Sequence, residues 1–78
     1  MRLNFRGWLA ENCGLKWPGD CEARRIARKA SGGCSIESGG PHDKVRRKSD
    51  GFLVATVPRG KMDPNTCRRI IRAVDSNC

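Results

Sequence analysis

The sequence predicts one small α+β domain: a three-stranded antiparallel sheet with helices packed on one face, in the order α-α-β-β-β-α. Three observations carry this. The chain has 78 residues, enough for a single hydrophobic core and no more. Apolar residues recur with helical spacing in the first and last thirds, and they alternate with polar ones in the middle.

The first helix covers residues 4 to 13, where Phe5, Trp8, Leu9 and Cys13 share a face, Asn4 caps the start and Gly14 stops it. Leu15-Lys16-Trp17-Pro18-Gly19 reads as a connection, because a residue before proline disfavours helix and Pro-Gly turns the chain. A second helix is expected from Asp20, with Glu22 in its first turn, and Gly32-Gly33 ends it. It sets Ala23, Ile26, Ala27 and Ala30 against Arg24, Arg25, Arg28 and Lys29 on the opposite face. Cys34-Ser35-Ile36-Glu37-Ser38 alternates as a strand and is broken by Gly39-Gly40-Pro41. A second strand follows over residues 42 to 48, and Ser49-Asp50-Gly51 turns it into Phe52-Leu53-Val54-Ala55-Thr56-Val57, the strongest strand in the chain. Pro58-Arg59-Gly60 ends that run. The last helix opens at Asp63-Pro64 and carries Cys67, Ile70, Ile71 and Val74 as a stripe, with Arg68, Arg69 and Arg72 pointing away.

Charge sets the class of partner. Sixteen Lys and Arg oppose eight Asp and Glu, a net +8. That excludes an acidic disordered tail and points to a polyanion. Two clusters concentrate it, Arg24, Arg25, Arg28, Lys29 on the second helix and Lys44, Arg46, Arg47, Lys48 on the second strand. Each phosphate met by such a cation releases counterions and adds affinity without sequence preference. The four aromatics are Phe5, Trp8, Trp17 and Phe52, and at least three look needed for the core, so binding is expected to lean on phosphates and shape. No apolar run reaches the roughly 18 residues of a membrane span, and Met1-Arg2-Leu3-Asn4-Phe5-Arg6 lacks the apolar centre of an export signal. The expectation is a cytoplasmic protein with no membrane contact.

Five cysteines stand at 13, 21, 34, 67 and 78. Cys13, Cys21, Cys34 and His42 lack the paired spacing of a structural zinc site, and an odd cysteine count without an export signal argues against a secreted disulfide scaffold. The preferred expectation is reduced thiols acting as small hydrophobes, since Cys13, Cys34 and Cys67 fall on apolar stripes. A small zinc or disulfide protein is the minor alternative.

His42, the only histidine, follows a Gly-Gly-Pro turn into the basic strand. An imidazole beside phosphate-binding cations supplies what RNA cleavage by transesterification requires: a base for the 2′-hydroxyl and positive charge for the phosphorus. Arg46, Lys48 and Arg59 are the first candidates for holding substrate phosphates.

Gly40-Pro41-His42-Asp43-Lys44-Val45, the hairpin, Ala55-Thr56-Val57-Pro58 and Pro64-Asn65-Thr66-Cys67-Arg68-Arg69-Ile70-Ile71-Arg72 together resemble the HicA family of toxins from toxin–antitoxin systems. That family shows Gly-Ser-His-x-x-Phe, Val-Thr-Val-Pro and Thr-Leu-x-x-Ile-x-(Lys/Arg) at the corresponding places. Pro41 stands where Ser is usual, Val45 where an aromatic is usual and Cys67 where Leu is usual. The resemblance implies an α-β-β-β-α domain over residues 20–78 with the double-stranded-RNA-binding-like fold, preceded by a helical extension over 1–19. It further implies a metal-independent mRNA endoribonuclease with no cofactor, His42 in the catalytic position, and an acidic HicB-type antitoxin as partner. The alternative on the same fold is a non-catalytic module, such as a phage-encoded inhibitor or regulator, that engages nucleic acid or an acidic protein.

Overall fold

Alternating residues in the middle of the chain build the sheet. The computed structural model describes every residue except Met1, Pro18 and Asp20, and the backbone alone of Arg2. Strands β2 (Cys34–Glu37), β3 (His42–Arg47) and β4 (Leu53–Pro58) pair antiparallel in sequence order, so the predicted α+β layout is the observed one. To these, β1 (Arg2–Leu3) adds a fourth, two-residue strand beside β2, with Leu3 opposite Ile36. Two residues carry no periodicity, so a pattern reading passes over it.

One face of the sheet is dry. Cys34, Ile36, Asp43, Val45 and Val57 are buried there, while His42, Lys44 and Thr56 look outward into solvent. The register shifts between Val45 and Arg46, because Val45 faces Ala55 but Arg46 faces Leu53, which leaves Val54 as an extra residue on β4.

Three helices cover the dry face. In α1 (Phe5–Asn12) the Asn4 side chain accepts from the Gly7 amide at 2.6 Å, as the cap reading expects. This helix ends one residue short of Cys13, which is exposed rather than on the apolar stripe. Buried Asn12 takes the last position instead, its side-chain amide donating to the Trp8 carbonyl at 2.8 Å. Helix α2 (Ala23–Ala30) starts later than predicted, with Glu22 at the cap position making no side-chain bond; the expected cap, Asp20, lies outside the described residues. Its apolar face is as read, with Ala23, Ile26, Ala27 and Ala30 buried. Helix α3 (Pro64–Asn77) has Pro64 at its first turn and Asp63 as cap, accepting from the Thr66 amide at 2.9 Å. That bond, and a second from the Thr66 hydroxyl, hold the Asp63 carboxyl below its ordinary range. The third helix lies against β4 and α2, and α1 lies against α2, β1 and β2. Trp8, fully buried, and Trp17 join Ile26, Ile36, Val45 and Ile70 in one core. The Trp17 indole donates to the Gly60 carbonyl, which ties the chain before α2 to the loop after β4. Among the described residues no helix is long and apolar enough to cross a membrane.

The cysteines depart from expectation. Cys34 and Cys78 form a disulfide across 44 residues, their Cα atoms 5.4 Å apart. The start of β2 meets the end of α3 there, a proximity that no sequence spacing carries, and so the reading of five reduced thiols is corrected at these two positions. Cys21 and Cys67 are buried and free, and the Cys21 thiol lies 3.8 Å from the Met62 sulfur.

The β3–β4 hairpin closes with Gly51 at φ 73°, the left-handed region where glycine is at ease, and with its amide donating to the Arg47 carbonyl at 2.8 Å. The Arg47 guanidinium grips Asp50 at 3.0 and 2.7 Å and stacks over Phe52, 5.0 Å from the ring centroid. The bond from Arg47, then that from the Phe52 amide, pushes the Asp50 carboxyl down to about 2. A carboxyl depressed in the folded state supports the fold above its unfolded value and ceases to as pH falls through the folded one. Loss of stability between about pH 4 and pH 2 is therefore expected to be shallower in Asp50→Asn than in wild type, read as urea midpoints across that window. Parallel curves for the two proteins would contradict it.

Candidate nucleic-acid interface

His42 owes its place to the turn before it. Gly39 and Gly40 adopt φ of 149° and 141°, a region L side chains avoid, and Gly40 has open space around it, so backbone conformation and not crowding calls for glycine there. The turn delivers His42 to the first position of β3, opposite Pro58 and exposed. Because side chains alternate, Lys44 and Arg46 follow it on the open face of the sheet. Glu37 sits opposite Lys44 in the register and lies 3.6 Å from Arg46. Among the described residues no side chain hydrogen-bonds the His42 ring.

The neighbour pointing the other way, Asp43, is a buried polar group with three side-chain donors. Asp43 is 1% exposed, and its carboxylate accepts from the Trp8 indole at 2.9 Å, the Ser38 hydroxyl at 2.9 Å and the Arg59 guanidinium at 3.1 Å. Arg59 also bonds Ser38. A buried charge stands only when paired and hydrogen-bonded in this way. The consequence for the site is positional: Arg59, on the residue after Pro58, is anchored at the His42 end of the sheet while half its side chain faces solvent.

At the far end of β3 the structure joins what the sequence kept apart. Arg46, Arg47 and Lys48 line a cavity of about 630 Å³ together with Leu3, Phe5 and Ser35. On its other side, Phe5 lines a groove between α1 and α2 with Arg6, Leu9, Arg24 and Arg28. One half-buried ring thus bridges the two basic clusters, and the Lys48 ammonium lies 5.9 Å from its centroid. Arg47 turns away, held by Asp50 and by Asn77 at 3.3 Å. Lys29 is bound to Asp75 at 3.0 Å.

The sequence-derived residues therefore fall into two groups: His42, Lys44 and Arg59 at one end of β3, and Arg46, Lys48, Arg24 and Arg28 at the other. His42 and Lys48 are six positions apart, about 20 Å along an extended strand. Sequence reasoning missed Phe5 and Arg6 as surface residues and Asp43 as an anchor, since each acquires its role by meeting a distant segment. Comparison with family models, curated proteins and solved structures returns no match to this chain.

Proposed function

We propose that this protein is a small RNA-binding ribonuclease of the HicA type, cleaving mRNA in the cytoplasm by metal-independent acid/base chemistry at His42 and restrained by an acidic HicB-type partner. The observation that supports it best is the placement of exposed His42 and Lys44 together on the open sheet face, two positions apart on β3. In the reaction, the imidazole takes the proton of a 2′-hydroxyl and that oxygen attacks the adjacent phosphorus. The P–O5′ bond breaks, the 5′-oxygen takes a proton from water, the imidazolium returns its proton to solvent, and a 2′,3′-cyclic phosphate remains. Lys44 offsets the charge that builds on the phosphoryl oxygens.

Wild type incubated with single-stranded RNA is expected to produce 2′,3′-cyclic phosphate ends, and His42→Ala to do so about 10²- to 10⁴-fold more slowly at unchanged RNA affinity. Equal rates in the two proteins, or intact RNA at stoichiometric wild type, would overturn the cleavage step. The second reading, a binding module that cuts nothing, is favoured by one observation: the His42 ring has no orienting partner among the described residues. Intact RNA bound equally by both proteins would select it.

A further inference from the structure

We propose that the cleft around Phe5 is a binding site for unpaired nucleotides of an RNA strand, separate from the His42 end. The inference rests on the RNA-binding half of the function proposed above and not on cleavage.

Chemistry and shape both argue for that occupant. The cavity of about 630 Å³ lies in the size range of small-ligand sites and has apolar walls in Leu3 and Phe5 with the Ser35 hydroxyl among its lining. Cations stand on both sides of the ring. Among the described residues Arg6, Arg24, Arg28 and Lys48 have no carboxylate within ion-pair distance, whereas Arg46, Arg47, Lys29 and Arg59 each have one. A planar apolar ring flanked by unpaired cations is the arrangement by which proteins hold single strands, bases against the aromatic and phosphates against the basic residues. A duplex keeps its bases stacked inside and cannot offer one to the cavity. An acidic peptide matches the cations but leaves Phe5 and the cavity without a planar partner.

The geometry also gives a path. A strand seated at Phe5 meets Lys48 and then Lys44, with Arg46 paired to Glu37 between them, before reaching His42, about 20 Å from Lys48. That distance corresponds to about six nucleotides at a stacked rise of 3.4 Å. The cleft thereby holds the substrate at a distance from the bond that is cut.

The test uses a labelled twelve-nucleotide single strand of mixed sequence made of 2′-O-methyl RNA, which binds but has no 2′-hydroxyl to be cut. Anisotropy titrations compare it with its own duplex and with a polyglutamate peptide. The single strand is expected to bind more tightly than either, and Phe5→Ala to weaken it about tenfold while leaving the duplex unchanged. Arg6→Ala/Arg28→Ala/Lys48→Ala removes only exposed side chains and covers the case in which Phe5→Ala does not fold. It is expected to lower the slope of log affinity against log salt by about 2, at 0.7 for each phosphate contact on a single strand. An unchanged slope in the triple variant, unchanged affinity in folded Phe5→Ala, or a duplex bound as tightly as the strand overturns the proposal. Tighter binding of polyglutamate also overturns it and marks the cleft as a surface for an acidic protein. Failure of His42 chemistry leaves all these readouts untouched.

Discussion

Trp8→Ala is expected to leave the protein largely unfolded at 25 °C. Trp8 is fully buried, and its indole is one of three donors to the buried carboxylate of Asp43. Truncating a core tryptophan costs about 3–5 kcal/mol through lost contacts and the cavity left behind. Taking a donor from a buried carboxylate adds about 1–3 kcal/mol. A chain of 78 residues holds about 4–12 kcal/mol in total at typical stability per residue. The sum of the two losses is comparable to the whole. Trp8→Phe separates the contributions: it keeps most of the volume and removes the indole N–H, so it should stay folded with a lower urea midpoint. A Trp8→Ala protein with wild-type circular dichroism and midpoint would show that the Trp8–Asp43 contact is not structural. Deleting residues 1–18 should resemble Trp8→Ala, because Trp8 and Trp17 both leave the core. Any role of α1 at the surface is therefore better tested through exposed Arg6 than by truncation.

The second large effect is at the disulfide. Closing a loop of 44 residues restricts the unfolded chain by an amount worth about 4 kcal/mol in the chain-entropy model. Wild type should lose stability of that order when denaturation is repeated under reductant, and Cys78→Ser should match reduced wild type and be insensitive to reductant. Equal midpoints with and without reductant would show that the bridge adds nothing. The paired thiols sit at an already packed contact, Cys34 buried and Cys78 beside it, so native secondary structure is expected to persist after reduction. Reducing compartments oppose such bridges and oxidising ones keep them. Activity is therefore to be measured on both the oxidised and the reduced protein.

Much of the fold was legible because local chemistry and tertiary structure agree. Asp63-Pro64 and the stripe Cys67, Ile70, Val74 specify α3 without help from elsewhere. Cys34, Ile36, Val45 and Val57 alternate as a one-sided sheet demands. Illegible features depend on distant partners: β1 exists because Leu3 finds Ile36, and the disulfide exists because α3 returns to β2. The site divides the same way. His42, Lys44 and Arg46 could be placed on one face from the period of two alone. Phe5 packs against the core as the helical stripe predicts, and its place between the two basic clusters was illegible, since only α1 lying beside β1 sets it there. Phe52 begins the most apolar run of the chain but is 53% exposed, lying beyond the extra residue of β4 and under Arg47.

Two segments far apart in sequence, residues 2–3 and Cys78, converge on one short strand. Leu3 zips along one side of β2, β3 pairs with the other, and Cys78 is bonded to its first residue. Local opening starts where few contacts hold a segment. In this protein an excursion that peels away the first residues leaves β2 fastened by the last one, and release of the last residue leaves it fastened by the first. Local opening of either segment therefore stops at β2.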